Sequence, residues 1–333
     1  MTTKATIRTP VIPRNKADPT QSARQVGRMF NDIDERYLGI KRDLRALFDM
    51  QLTGSVTQTN SQLGYMACNN DEGPATLYQV NIGKYIYDMT ARKLANLLQS
   101  VQTILDNWLL EGGEQNVWAM GYVQDEYERG THLAVSNLSV QSSIYEQQVS
   151  LADRLSSPAI QNQIASAQVA TYSDWKGISD KARADLANVI TDSVARGINP
   201  RETAAIVSKR LDVSMSAAKN IAQTEQVGAL RDAQRTETVW ARDSLGINTK
   251  MLHLSALKPT SRSWHVARHG HTYTPEEVEA WYAEDGNRYH CYCSQIPVVL
   301  DDDGNIVNQG MVEKLTKERL AWLPAEKPRS RSK

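Results

Sequence analysis

His290, Cys291 and Cys293 close a stretch that also holds His253, His265, His269 and His271, so five of the chain's six histidines and two of its three cysteines lie between residues 253 and 293. Imidazole and thiolate are the groups that hold zinc in a tetrahedral N/S site. Two ligands from His265, His269 and His271, with two from His290, Cys291 and Cys293, would complete one. The set His265, His269, Cys291 and Cys293 is the compact form of that expectation. Its spacing is unusual, because Cys-x-Cys is rarer in structural zinc sites than Cys-x2-Cys and the upstream half supplies no cysteine. The same residues have two other readings. The thiols can pack as small buried hydrophobes, with the histidines as polar loop residues and no cofactor at all. Alternatively, Cys291 and Cys293 can form a disulfide.

A second constellation joins Glu225, beside Thr224 on a helix, with Arg262 and His265. A carboxylate, a guanidinium and an imidazole can serve as acid, base and anion clamp. A glutamate on a charged helix is more often a solvated or capping residue, however. The chain has no phosphate-cradling glycine loop, G-x-S-x-G elbow, H-E-x-x-H helix or paired-carboxylate nuclease box. The expectation is a protein that is not an enzyme, with Glu225, Arg262 and His265 as the place where catalysis would sit.

A third constellation is basic. Lys4, Arg8, Arg14, Lys16, Arg24 and Arg28 face only Asp18 before residue 29, and Lys327, Arg329, Arg331 and Lys333 end the chain. Such segments bind phosphate without reading sequence, which makes Arg8, Arg14, Lys16, Lys327, Arg329 and Arg331 candidate contacts to double-stranded DNA. Solvated, solubilising ends are the commoner meaning of the same charge. Lys plus Arg equals Asp plus Glu at 38 each, so any nucleic-acid contact is local rather than a property of the whole surface.

The elements that must position these groups are mostly helical. Pro10, Pro13 and Pro19 make residues 1–28 an extended arm. Residues 24–50 carry apolar positions near helical spacing, and Thr53 to Pro74 is a polar loop. Leu94, Leu97, Leu98, Val101, Ile104, Leu105, Trp108 and Leu109 follow the i, i+3, i+4, i+7 rule, with Gly112 and Gly113 ending the helix. Residues 121–171 have helical tendency and suggest one or two helices. Ser179 and Asp180 are expected to open a helix that stops at Gly197. Asn199 caps the next, with Pro200 in its first turn. Ser214 or Ser216 is expected to cap a third, ending before Gly246. Beyond it, residues 249–254, 272–274 and 296–300 are short branched or aromatic runs of strand character. A turn at Asp301 to Gly304 and a helix from Met311 to Trp322 complete an α+β chain with no internal repeat.

A length of 333 residues suggests more than one packed unit. Two Phe against 13 Tyr and seven Trp favour aromatics with a polar end, suited to interfaces. No apolar run spans a bilayer and the first residues lack a secretory core, so the expectation is a chain made and kept in a cytosol, with no membrane partner. Three cysteines, with Cys68 isolated, do not make a disulfide framework.

The order of motifs resembles a known family. Ile221-Ala222-Gln223-Thr224-Glu225, then Ser261-Arg262-Ser263-Trp264-His265 with Gly270 after it, then His290-Cys291-Tyr292-Cys293 before Ile296-Pro297-Val298, is similar to the Mu F-like phage head morphogenesis domain of minor head proteins. That family's pattern is I-A-R-T-E, T-R-x-x-H and a closing H/N-C-R-C ahead of a hydrophobic strand. Gln223 and Tyr292 replace two of its usual arginines. The Trp and Asp that usually precede T-R-x-x-H fall at Met251 or Leu252 and near Lys258. Thr224, Glu225, Arg262, His265, His290, Cys291 and Cys293 are the positions that match.

The resemblance implies a structural component of a tailed-phage head, built in the host cytoplasm and carried in the virion near the portal vertex. It implies portal protein and major capsid or scaffolding protein as partners, and a role in assembly, packaging or delivery of the genome. The expected division is a basic arm to residue 28, a helical docking region over 29–150, the head morphogenesis domain over 151–300 and a helix with a basic tail over 301–333, the resemblance itself covering roughly residues 180–300. Related domains also occur joined to toxin modules, which keeps a transferase or nuclease reading as the alternative.

Overall fold

The computed structural model describes residues 7–56 and 84–323. Cys68, most of the expected polar loop, Lys4 and the basic residues Lys327, Arg329, Arg331 and Lys333 lie outside the described residues. In chain order the elements are α1 (Ala23–Gln51), β1 (Gly54–Val56), β2 (Tyr85–Tyr87), α2 (Ala91–Leu109), α3 (Trp118–Gln141), α4 (Ser143–Gln148), α5 (Leu151–Leu155), α6 (Pro158–Arg196) and α7 (Pro200–Leu245). They continue with β3 (Thr249–Leu254), α8 (Ser263–Ala267), β4 (Thr272–Tyr273), α9 (Pro275–Ala283), β5 (Ser294–Val299) and α10 (Gln309–Trp322). The class is α+β and mostly helical, as expected from the sequence.

Two compact units divide the chain, and neither is one continuous segment: residues 1–32, 112–173 and 219–333 form one, and 33–111 with 174–218 the other. This departs from the linear division at residues 28, 150 and 300. The reason lies in two helices longer than expected. Ser179 does not open a helix; it lies inside α6, buried, and its hydroxyl donates to Asp106 Oδ1 at 2.7 Å. Ser214 and Ser216 cap nothing either, because α7 runs unbroken for 46 residues. The Ser216 hydroxyl bonds back to Asp212 O, and Ser214 pairs with Tyr37 Oη. Inside a helix the hydroxyl finds another partner, the preceding turn for Ser216 and a side chain on another helix for Ser179 and Ser214, so the capping signal it carries in isolation is lost.

The smaller unit buries the stripe of α2 at Leu97, Val101, Leu105 and Leu109. Trp108 Nε1 donates to Asp43 on α1, and Arg36 donates to the Trp108 carbonyl. Asn199 accepts from Arg201 N at 2.9 Å, the expected cap, and Gly197 takes φ +69 to make the turn before it. Residues 54–56 are strand rather than loop, paired antiparallel with β2.

The larger unit is built on a three-stranded antiparallel sheet in the order β4-β3-β5. Leu252, Leu254, Ile296, Val298 and Leu300 pack with Ile306, Met311 and Leu315, the last two from α10. Pro297 has no N–H for a ladder, so β5 must lie at an edge. A helix covers that edge: Gln141 Nε2 on α3 donates to Pro297 O at 3.0 Å, and Val299 N donates to Gln141 Oε1 at 2.9 Å. One glutamine amide supplies the donor and acceptor that a fourth strand would supply. The N-terminal segment is not a free arm. Ile7 bridges Ser142, Arg8 N donates to Gln141 O, and Val11 N donates to Asn137 Oδ1. Lys16 pairs with Glu318, while Arg8 and Arg14 stay exposed. Below the sheet, α3 meets α7 closely at Gly130, where a Cβ would lie 2.6 Å from Leu230 O.

Candidate functional site

α7 brings Gln223, Thr224, Glu225 and Arg231 to the site. Thr224 donates its hydroxyl to Asn220 O, a bond within the helix. Glu225 accepts from Arg288 Nη2 at 2.7 Å. Arg231 is buried on the same face two turns on. Its Nε donates to the carbonyl of Cys293 at 2.9 Å and its Nη2 to that of Cys291 at 2.8 Å. This fork holds both ends of the Cys-x-Cys segment against the helix.

Arg262, the N-cap of α8, secures the loop ahead of that segment. Its Nη1 donates to the carbonyls of Gly286 and Asn287, and its Nη2 to that of Tyr289. Buried Asn287 adds two bonds, accepting from Trp264 Nε1 and donating to Trp281 O. His290 then takes φ 52, the left-handed turn that delivers Cys291 inward while its own ring stays exposed.

The result is a buried trio. Cys291 Sγ lies 3.3 Å and Cys293 Sγ 3.6 Å from His265 Nδ1, and the three ligand atoms fall within 4.8 Å of one another. Trp281 covers the imidazole edge-on, with ring centroids 4.6 Å apart. Cys293 N contacts Cys291 Sγ at 3.4 Å, and Tyr282 Oη lies 3.8 Å from the same sulfur. Tyr282 Oη already accepts from Gln295 Nε2, so its hydrogen is free for that sulfur. Burial raises the Cys291 thiol, but hydrogen bonding by Cys293, the charge of Arg231 and the His265 contact outweigh it and hold the thiol well below its ordinary value. The hydrogen bond to Cys291, together with burial, pushes Cys293 well above it. The two thiols therefore titrate apart, Cys291 before Cys293.

His269 is not in this group. Its Nδ1 accepts from Ser255 N at 3.0 Å and its Nε2 faces Glu318 at 3.4 Å, so both ring nitrogens are engaged elsewhere. His271 contributes its carbonyl to His253 N, and His253 packs edge-on to Trp281 behind the trio. The expected ligand set of His265, His269, Cys291 and Cys293 reduces to His265, Cys291 and Cys293.

Two cavities flank the Cys-x-Cys segment. One of about 360 Å³ is lined by Gln223, Lys258, Arg262, His265, Cys291 and Cys293, among others. The other, of about 250 Å³, is lined by Glu225, Arg231, Asp232, Arg235, Tyr282 and Arg288, among others. Glu225 thus opens on one cavity, and Arg262 with His265 on the other. Sequence reasoning missed Arg231 and Tyr282, and marked Gln223 only as a departure from the family's arginine. The signal for the first was its place seven residues beyond Thr224, on the same helical face.

These features define an α+β module in which a long helix, an Arg-x-x-His turn and a Cys-x-Cys strand entry are bonded together. Residues 184–296 match the family described as Phage Mu protein F like protein, so this segment of the chain is similar to that family. Comparison with curated proteins and with solved structures gave no match.

Proposed function

We propose that the protein is a minor head protein of a tailed bacteriophage. It is made in the host cytoplasm, incorporated into the head near the portal vertex, and assists assembly with roles in packaging or delivery of the genome. The observation that carries this reading is the family match over residues 184–296. Portal protein is the first partner, with major capsid or scaffolding protein beside it, and packaged double-stranded DNA meets the basic ends through Arg8, Arg14, Lys327, Arg329 and Arg331. Lys16 is a weaker candidate because Glu318 already pairs with it. No helix of the described residues is long and apolar enough to cross a membrane.

The role is structural rather than catalytic. Thr224 and Arg262 spend their donors on backbone carbonyls, and Glu225 and His265 open on different cavities. Mass spectrometry of purified procapsids and virions, with cross-linking to portal protein, tests the reading. The chain should be present at low copy and cross-link to portal; its absence from both particles would overturn the proposal. Arg262 holds the fold, so catalysis is tested with Glu225→Gln. The variant should support infection like the parent, and normal heads that fail after infection would reverse that conclusion.

A further inference from the structure

We infer that His265, Cys291 and Cys293 form a three-coordinate protein site for a zinc-like divalent cation, with its fourth position open to the cavity beside Gln223. Tetrahedral zinc with sulfur at about 2.3 Å and nitrogen at about 2.0–2.1 Å has N-to-S edges of roughly 3.5 Å. The separations of 3.3 and 3.6 Å between His265 Nδ1 and the two sulfurs match that edge. The donor set, one imidazole and two thiols, is one that zinc accepts ahead of harder cations. The three donors converge, and they come from separate elements, α8 and the entry to β5, so the convergence is tertiary and not a local accident.

A second observation is independent of the trio. Gln223 is only 4 % exposed, its Nε2 has no acceptor, and it lines the same cavity as the ligands. A buried amide donor without an acceptor is costly. A water or anion completing the metal's coordination supplies an acceptor there. The supporting bonds fit as well: Cys293 N–H and Tyr282 O–H lie at Cys291 Sγ, the kind of contact that orients ligands, and Cys293 Sγ lies 3.8 Å from Ser255 Oγ.

Arg262 sets the proton accounting. Its Nη1 lies 3.1 Å from His265 Nε2, and a guanidinium can only donate. Without metal, the imidazole therefore carries its hydrogen on Nδ1, facing the sulfurs. The cation would take that place: the imidazole would keep one hydrogen, on Nε2, and give up the Arg262 bond, Nη1 would keep its two carbonyl acceptors at Gly286 and Asn287, and the thiol protons of Cys291 and Cys293 would pass to solvent.

The test is elemental analysis of the full chain purified without chelator, followed by cobalt substitution. About one equivalent of zinc per chain is expected, with cobalt giving a sulfur-to-metal charge-transfer band and four-coordinate d–d bands. Thiocyanate should shift those d–d bands, and failure to do so would refute the open position. Cys68→Ser and His269→Gln should keep the full equivalent, whereas Cys291→Ser and Cys293→Ser should lose at least tenfold. Loss of metal in Cys68→Ser would place the site elsewhere. Should the cysteine variants misfold, the wild-type chain decides alone. Below about a tenth of an equivalent and no cobalt band, with both buried thiols titrating after denaturation, leaves a metal-free thiolate–imidazole pair and overturns the inference.

Discussion

Arg231 on α7 donates to the carbonyl of Cys291 at 2.8 Å, a bond between residues 60 positions apart that ties the Thr-Glu helix to the Cys-x-Cys segment. With its companion bond to Cys293, it makes one side chain responsible for the register of the strand entry. Two of the sequence signatures are thereby mechanically one object.

Replacing Arg231 with Met leaves two buried carbonyls without donors, and each such loss costs about 1–3 kcal/mol. Urea unfolding should show the variant less stable by roughly 2–5 kcal/mol. Arg231→Lys should recover only part of that, because an ammonium cannot span both carbonyls as a fork. Full recovery by lysine would show that charge, and not bidentate geometry, is what matters.

Gly130 and Gly121 both lie within α3 and should respond in opposite directions. A Cβ at Gly130 meets Leu230 O at 2.6 Å and Ala233 Cβ at 2.9 Å, whereas at Gly121 it meets nothing within 4 Å. Gly130→Ala should lose about 1–3 kcal/mol as α3 and α7 are forced apart. Gly121→Ala should gain about 0.5–1 kcal/mol from helix propensity. Melting temperatures of the pair decide it; equal shifts would contradict the close approach.

Arg154 and Glu237 form a buried ion pair, with Arg154 Nε 3.0 and 2.9 Å from the two carboxylate oxygens and Tyr145 Oη donating to the same group. Arg154→Met alone should cost about 3–5 kcal/mol, since it strands a buried carboxylate. The double variant Arg154→Met with Glu237→Met should be more stable than that single variant. A double-mutant cycle by chemical unfolding measures the difference.

His253 and His269 make stability depend on pH. Burial is the main cause that lowers both below the ordinary 6.5; for His269 the carboxylate of Glu318 opposes it in part. Ser255 N–H also needs the unprotonated Nδ1 of His269 as acceptor. Below pH 6.5 the unfolded chain binds protons that the folded chain does not, so stability is fully present above 6.5 and falls as pH drops towards the folded values. The slope reaches about 1.4 kcal/mol per pH unit for each histidine. Unfolding of chelator-treated protein between about pH 5 and 7.5 should show it. His269→Gln should flatten the curve, and an unchanged slope would exclude that residue.

Where the sequence was readable, it was because a local rule operated alone. The α2 stripe, the Asn199–Pro200 start, the turn at Gly246 and strands β3 to β5 follow from periodicity and backbone conformation. The serines of α6 and α7 misled, because a hydroxyl that caps an isolated helix can equally bond the preceding turn or a side chain on another helix. The N-terminal segment misled as well. Its prolines do keep it extended, but its backbone donors are taken up by Gln141 and Asn137, which no local pattern announces.

Sequence alone determined the α+β class, the family motifs and the concentration of histidine and cysteine near the end of the chain. These depend on residue type and near-neighbour spacing, which a linear string records completely. Tertiary structure decided which of the histidines meets the cysteines, because His265 and His269 are only four residues apart and packing alone aims one ring at the sulfurs and the other at Ser255 and Glu318. It also decided that Gln141 completes a sheet and Arg231 anchors Cys291, since a hydrogen bond depends on distance in space, and residues far apart in sequence have none until the chain is folded.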